Sequence, residues 1–230
     1  DKKTVTNFTP EFKKAMNVFR GFNYNLKPRT NTKEIVRLKA DFLYLSPSNI
    51  YPTGEVLRAQ ERNRIIKWAH ENNSYIIEDD YNFFIRYNSY TIPSIYSYDD
   101  GKNVIYMGSF SKSILPSIRI SYMVLPLSLY QVYKDHFLDF SQGVSKLDQL
   151  SLALYMKEGF YQRHTKKLFN AYKDKNKIML DSIKTNNKKK NINVRSTDSN
   201  LHIVLDFKSK LKVDTFMRNC NRFELKYEKI

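Results

Sequence analysis

The chain has 230 residues, 41% hydrophobic and 14% aromatic, with one cysteine and a formal net charge of +16. That composition supplies a sizeable core and sets intrinsic disorder aside. The lone Cys220 excludes an internal disulfide framework and fits a reducing compartment, and no apolar run approaches the ~18 residues needed to span a bilayer.

Three further features narrow the class. The opening "DKKTVTNFTP" has no apolar signal-peptide core. His70, His136, His164 and His202 show no metal-ligand spacing, so a zinc site is not expected. A soluble cytoplasmic protein is the expectation. The positive charge is spread along the chain beside Asn, Ile and Tyr; its one dense run, "NNKKKN" at 186–191, reads as a solvated loop. Charge alone therefore points to a compositional bias more than to a DNA-binding surface.

In chain order, "DFLYL" (41–45) reads as a short strand that runs into the turn "SPSNIYPTG". "EVLRAQERNRIIKWAHENN" then brings Leu57, Ile65, Ile66 and Trp68 near helical spacing. "YIIEDDY" (75–81) is a β-run that breaks into acids, and "NVIYM" (103–107) follows after a long loop. Next comes "GSFSKSILPSIRISYMVLP" (108–126), with Lys112 between two serines and Arg119 opening a second β-like run. Strand, helix, strand, loop, strand predicts an α/β domain with a mostly parallel sheet. Ligands of such sheets sit at the carboxyl ends of the strands, where Asp79, Tyr81, Ser109 and Lys112 all fall.

After Pro126 the pattern turns helical in "LSLYQVYKDHFLDF", "SKLDQLSLALYMKEG" and "FYQRHTKKLFNAYKDKNKIMLDSIKT". "INVRS" and "LHIVLDF" read as strands and "KVDTFMRNC" as a short helix. The expected organisation is part of a large domain at 1–127, interdomain helices at 128–185 and a smaller α+β unit at 186–230. No internal repeat or Gly/Ser-rich linker interrupts it.

A lysine on a strand-end turn can form a Schiff base with an aldehyde cofactor, of which pyridoxal phosphate is the common case. Such a site needs an acid for the pyridine nitrogen, a hydroxyl for the 3′ oxygen, and small donors with a cation for the phosphate. Asp79 or Asp80 can supply the acid, Tyr81 the phenol, Ser109 and Ser111 the hydroxyls, and Arg119 the cation. Each taken singly reads as well as a loop carboxylate, a surface lysine or an Arg119–Glu78 ion pair. Gathered at successive strand ends, they point to a site.

"LSPSNIYPTG", "IIEDDYNFFIRY" and "VIYMGSFSKSILPSIRISYMVLP" resemble the aminotransferase-like domain of MocR-type transcriptional regulators in the GntR superfamily. "SQGVSKLDQLSLALYMKEGFYQRHTKK" and "NLHIVLDF" carry the resemblance into the C-terminal half. It implies the fold-type I architecture of the aspartate aminotransferases and a pyridoxal 5′-phosphate cofactor. It also implies that Lys112 forms the internal aldimine, that Asp79 meets the pyridine nitrogen and that Tyr81 bonds the 3′ oxygen. Asp79 precedes Lys112 by 33 residues, as that resemblance implies.

The chain departs from the family at Asn82, Phe83 and Phe84, where a polar "DSEF" is usual. It departs again at Asn49–Ile50, where His–Gln is usual, and at Tyr51, where aminotransferases place a cofactor-contacting Asn. The family's winged-helix DNA-binding domain, its phosphate loop with the ring-stacking aromatic, and its late substrate-binding arginine are not among these residues. A fragment is therefore expected.

Two function classes follow from the resemblance. One is a regulator that senses an amine or amino acid as external aldimine and binds DNA through an upstream domain. The other is a working aminotransferase; a scaffold with a vacant site is a third reading. A homodimer using the apolar helical surface at 128–160 is expected. Trp68 and Cys220 read as core, His202 as a packed histidine of the small domain, and Arg163 and His164 as a helix face that can meet another subunit.

Overall fold

A computed structural model describes residues 2–82, 92–140, 143–187, 191–195 and 203–227. The sheet part comprises β1 (Thr4–Phe8), α1 (Lys13–Gly21), β2 (Asn25–Arg29), α2 (Thr32–Ile35), β3 (Phe42–Leu45), α3 (Ala59–Asn72) and β4 (Tyr75–Asp79). A 3-10 turn at Tyr96–Tyr98, β5 (Val104–Ser109) and β6 (Ser121–Val124) complete it. The strand order is β2-β1-β3-β4-β5-β6. Every pairing is parallel except β5 with β6, which is antiparallel. The α/β class with a mostly parallel sheet is thus as expected, and "RISYMVL" forms its antiparallel edge. Strands β1 and β2 add to what the patterning shows: "TVTNF" is half polar and "NLKPR" carries a proline, which suits an edge strand.

Side chains alternate across a strand, so each strand serves two cores. On one face Leu43, Leu45, Ile76 and Val104 pack against Ile65, Trp68 and Ala69 of α3. On the other, Val5, Met16 and Tyr44 gather Phe12, Ile77 and Met107. Helix α3 starts with the Glu61 carboxylate accepting the Arg58 N–H at 3.2 Å and ends on Asn73 in the left-handed conformation, φ 50°. Trp68 is 2% exposed and donates its indole N–H to the Leu38 carbonyl at 2.8 Å, a core role as expected.

The α3 face also holds charge. Arg62, fully buried, donates to the carbonyls of Leu57, Pro93 and Pro47. Glu78, equally buried, accepts the N–H groups of Ile95 and Tyr96 at 2.9 and 2.8 Å. These bonds pin the start of the 3-10 turn to β4. Burial pushes the Glu78 carboxyl up to about 7, opposed by the two N–H bonds and by Arg62, and reinforced by the charge of Asp80. The folded value lies above the unfolded one, so the folded state holds an extra proton between them. Its stabilising contribution is complete below ~4.3 and is lost as the pH rises through about 7. Glu78→Gln therefore flattens the fall of the thermal midpoint between those pH values; equal slopes in variant and wild type would place the titration elsewhere.

The rest of the described chain is α4 (Leu127–Phe137), α5 (Lys146–Lys157), α6 (Phe160–Asn186), the antiparallel pair β7 (Ile192–Arg195) and β8 (Val204–Phe207), and α7 (Lys210–Arg222). The last helix begins earlier and ends later than "KVDTFMRNC". Cys220 is 3% exposed within it and His202 lies outside the described residues. Helices α4 and α5 bury no residue in the single chain, and Leu127, Phe137, Leu147, Leu150 and Leu154 are exposed. Arg163 is exposed and His164 half-buried on α6. Tyr161 is the buried residue of α6: its hydroxyl donates to the Ser113 hydroxyl at 3.1 Å, and its ring meets Phe110 edge-on.

A candidate cofactor site at the carboxyl ends of the strands

The three consecutive acids that end β4 are sorted by the pleat. Glu78 points to the α3 face and is held by main-chain N–H groups, as above. Asp80 accepts the hydroxyl proton of Tyr106 at 2.9 Å. Asp79 lies on the α1 face, where its Oδ2 accepts a hydrogen bond from the hydroxyl of Tyr44 on β3. Burial raises the Asp79 carboxyl above its ordinary value; the Tyr44 hydrogen bond lowers it, Asp80 raises it and the charge of Lys112 lowers it.

Lys112 sits on the turn between β5 and β6. Its ammonium lies over the ring of Tyr81, 4.2 Å from the centroid, a cation–π contact. The residue as a whole is exposed to solvent. Around the ammonium, burial draws its pKa below that of a free lysine, while Asp79 pulls it back up. A lowered lysine pKa enlarges the neutral-amine fraction at pH 7, the form that adds to a carbonyl. The turn is firmly placed on both sides of Lys112: Ser113 is fully buried against Tyr161, and Phe110 packs on Tyr122 and Tyr161.

The Tyr81 hydroxyl donates to the Asn49 carbonyl at 3.1 Å, so the turn "SPSNIYPTG" reaches the cluster through main chain. Burial, followed by the charges of Asp79, Tyr51 and Asp80, holds the phenol protonated well beyond the ordinary tyrosine range. The serines and Arg119 form a second group on the same turn. Ser109 Oγ accepts the Ser111 N–H at 3.2 Å; Ser111 Oγ donates to the Ile118 carbonyl at 3.0 Å and accepts from Arg119 at 3.2 Å. Arg119 thus turns toward Ser111, and Glu78 is engaged elsewhere, so an Arg119–Glu78 ion pair does not form.

The structure brings together Asp79, Tyr81 and Lys112 in one cluster and Ser109, Ser111 and Arg119 beside it. It also adds Tyr44, Tyr106 and Tyr161, none of which stands out in the sequence. The one available signal was a tyrosine inside the aliphatic strand "FLYL", whose phenol must find a partner if it is buried. A groove of about 340 Å³ lined by Pro28, Arg29, Thr30, Glu34, Arg37 and Leu38 shares no residue with this cluster.

No family model matches the chain. In sequence it is 34% identical over 203 residues to the uncharacterized HTH-type transcriptional regulator YdeL of Bacillus subtilis (strain 168), covering 86% of this chain and 44% of that protein. It is 29% identical over 138 residues to the "Probable rhizopine catabolism regulatory protein MocR" of Rhizobium meliloti, covering 60% of this chain and 28% of that one. In fold it superposes on LysN, the alpha-aminoadipate aminotransferase of Thermus thermophilus, solved with N-(5′-phosphopyridoxyl)-L-leucine. The TM-score is 0.80 at 22% identity, over 96% of this chain and 60% of that one. The chain is thus similar in sequence to HTH-type transcriptional regulators and in fold to an aminotransferase.

The chain spans less than half the length of YdeL and MocR. Its sheet matches in fold that of the aminotransferases, with the Lys112 turn between the last parallel strand and the antiparallel edge. Among the described residues, no helix is long and apolar enough to cross a membrane.

Proposed function

We propose that the chain is the effector-sensing part of a pyridoxal-phosphate-dependent transcriptional regulator, which responds to a small amine or amino acid and binds DNA through a part outside these residues. The observation that carries this reading is the Asp79–Tyr81–Lys112 cluster at the strand ends of a chain related to HTH-type regulators.

The donor set fits the cofactor. Lys112 offers an amine of lowered pKa on an exposed residue, and Asp79 a carboxylate beside it. Tyr81 offers a phenol that stays protonated. Ser109, Ser111 and Arg119 offer two hydroxyls and a cation to the phosphate. When bound, pyridoxal phosphate supplies an aldehyde that condenses with primary amines and a ring that draws electron density from them.

The chain's own residues then act as follows. Lys112 would hold the cofactor through its amine, and Asp79 would face the ring nitrogen and keep its proton. Tyr81 would offer its phenol to the 3′ oxygen, and Arg119 with the serines would hold the phosphate. The group would supply an aldehyde that can be shared between Lys112 and an effector amine, so the state of the Lys112 side chain beside Asp79 would differ with and without effector. An effector shifts a regulator only through contacts that differ between its states, and this exchange is such a difference. The turn that feels it is tied to the long helix α6 by the Tyr161–Ser113 hydrogen bond, which gives the exchange a path toward β7, β8 and α7.

Footprinting the full-length regulator on its own promoter region tests the reading. Protection that changes with candidate amines in wild type and not in Lys112→Ala supports it. Absent DNA binding with fast multiple-turnover transamination would replace it by the aminotransferase reading. The uncovered apolar face of α4 and α5 supports a homodimer of the complete protein. Sedimentation velocity should return a dimer; a stable full-length monomer with bound cofactor would contradict that.

A further inference from the structure

We propose that Tyr44 is a positioning residue for the cofactor site: its hydroxyl occupies Asp79 Oδ2 and so presents Oδ1 to the ring nitrogen of pyridoxal phosphate. The inference rests on the proposed function and names a residue that the sequence did not single out.

The geometry begins with register. Tyr44 of β3 pairs with Ile77 of β4, so Asp79 stands two residues further along β4 on the same face. Two residues of strand advance ~6.6 Å, about the reach of a tyrosine side chain leaning along its neighbour. No shorter donor at position 44 spans that gap. The ring is held in place: Tyr44 is 7% exposed, sits in the core with Val5 and Met16, and meets the Phe19 ring edge-on at 6.0 Å. A phenol locked at this angle gives the carboxylate one fixed partner, which sets its plane as well as its position.

The chemistry gives the bond a task. Burial and the neighbouring charge of Asp80 both favour a protonated Asp79, and only the Tyr44 hydrogen bond and the charge of Lys112 oppose them. Were the Lys112 amine engaged by the cofactor, its charge would depend on the state of that nitrogen, whereas the Tyr44 hydroxyl would donate to Asp79 throughout. Burial and the adjacent Asp79 charge keep the Tyr44 phenol protonated beyond the ordinary tyrosine range, so it donates at every working pH. Asp80 cannot substitute, since the pleat turns it to the other face and Tyr106 holds it.

The test uses the full-length regulator reconstituted with pyridoxal phosphate carrying 15N at the pyridine nitrogen. In wild type the nitrogen signal stays that of the protonated ring across the neutral range. In Tyr44→Phe the proton is lost about one pH unit lower, and cofactor affinity falls roughly 10-fold, the scale of one hydrogen bond to a charged group. In the Asp79→Asn background, Tyr44→Phe produces no further shift of the nitrogen signal, whereas a purely structural role would lower affinity equally in both backgrounds. Should Tyr44→Phe not fold, 3-fluorotyrosine at position 44 keeps the ring's shape and donates more strongly, and it must move the nitrogen titration upward; an unmoved titration overturns the role. A wild type that takes up no pyridoxal phosphate overturns both this inference and the proposed function. A wild type that binds it, with Tyr44→Phe indistinguishable from it, overturns the role of Tyr44 alone.

Discussion

Under the proposed function, Lys112→Ala in the full-length protein is expected to abolish covalent attachment of pyridoxal phosphate: borohydride reduction should leave no phosphopyridoxyl group on the chain, and the visible band of the bound cofactor should be lost. The expected effect is complete because the bond is made by one nitrogen. Arg119 beside it cannot take it over, since it carries a guanidinium rather than a primary amine and hydrogen-bonds Ser111. The change is also felt by Asp79, whose carboxyl loses the Lys112 charge that lowers its pKa. Packing is little disturbed, because Lys112 is partly open to solvent and Phe110 and Ser113 hold the turn independently. Peptide mapping after reduction decides the matter: a phosphopyridoxyl group retained at this turn in the variant would assign the role to another nucleophile.

Asp79→Asn produces the second large effect. The amide is nearly the same size and can still accept from Tyr44 through its carbonyl, so the fold is kept. What disappears is the negative charge that, under the proposed function, would hold a proton on the ring nitrogen. Truncating one partner of a buried charge pair costs ~2–5 kcal/mol, and the cofactor's affinity and any half-transamination rate fall together. The change also lowers the drive on Lys112, which loses the one charge that raises its pKa. Affinity and rate both equal to wild type in Asp79→Asn would overturn the role proposed for Asp79.

The site's chemistry was legible because it is written in residue types at strand ends. A β-run that breaks into "EDDY" and a second that ends in "GSFSKS" place an acid, a phenol, two serines and a lysine at the same edge of a parallel sheet, whatever the details of packing. Hydrophobic periodicity likewise identified α3, and the alternation of strand and helix fixed the layer architecture. The first two strands were less legible: "TVTNF" and "NLKPR" are too polar to announce themselves, and they become strands because β3 and α1 bury one face of β1.

By itself the sequence determined the class of sheet, the position of the lysine turn and the short list of acids near it, since these depend on local pattern and on side-chain chemistry. Only the tertiary structure decided where each acid lies. Glu78, Asp79 and Asp80 are adjacent in the chain, and alternation says that Asp79 opposes its neighbours without saying which helix covers which face. Packing of α3 on one side and α1 on the other sorts them, with Glu78 toward α3 and Asp79 toward α1. The same holds for Tyr44, 35 residues from Asp79, and for Tyr161, 48 residues from Ser113. Contacts of that separation depend on register and on how a helix docks, and no pattern of neighbouring residues encodes either.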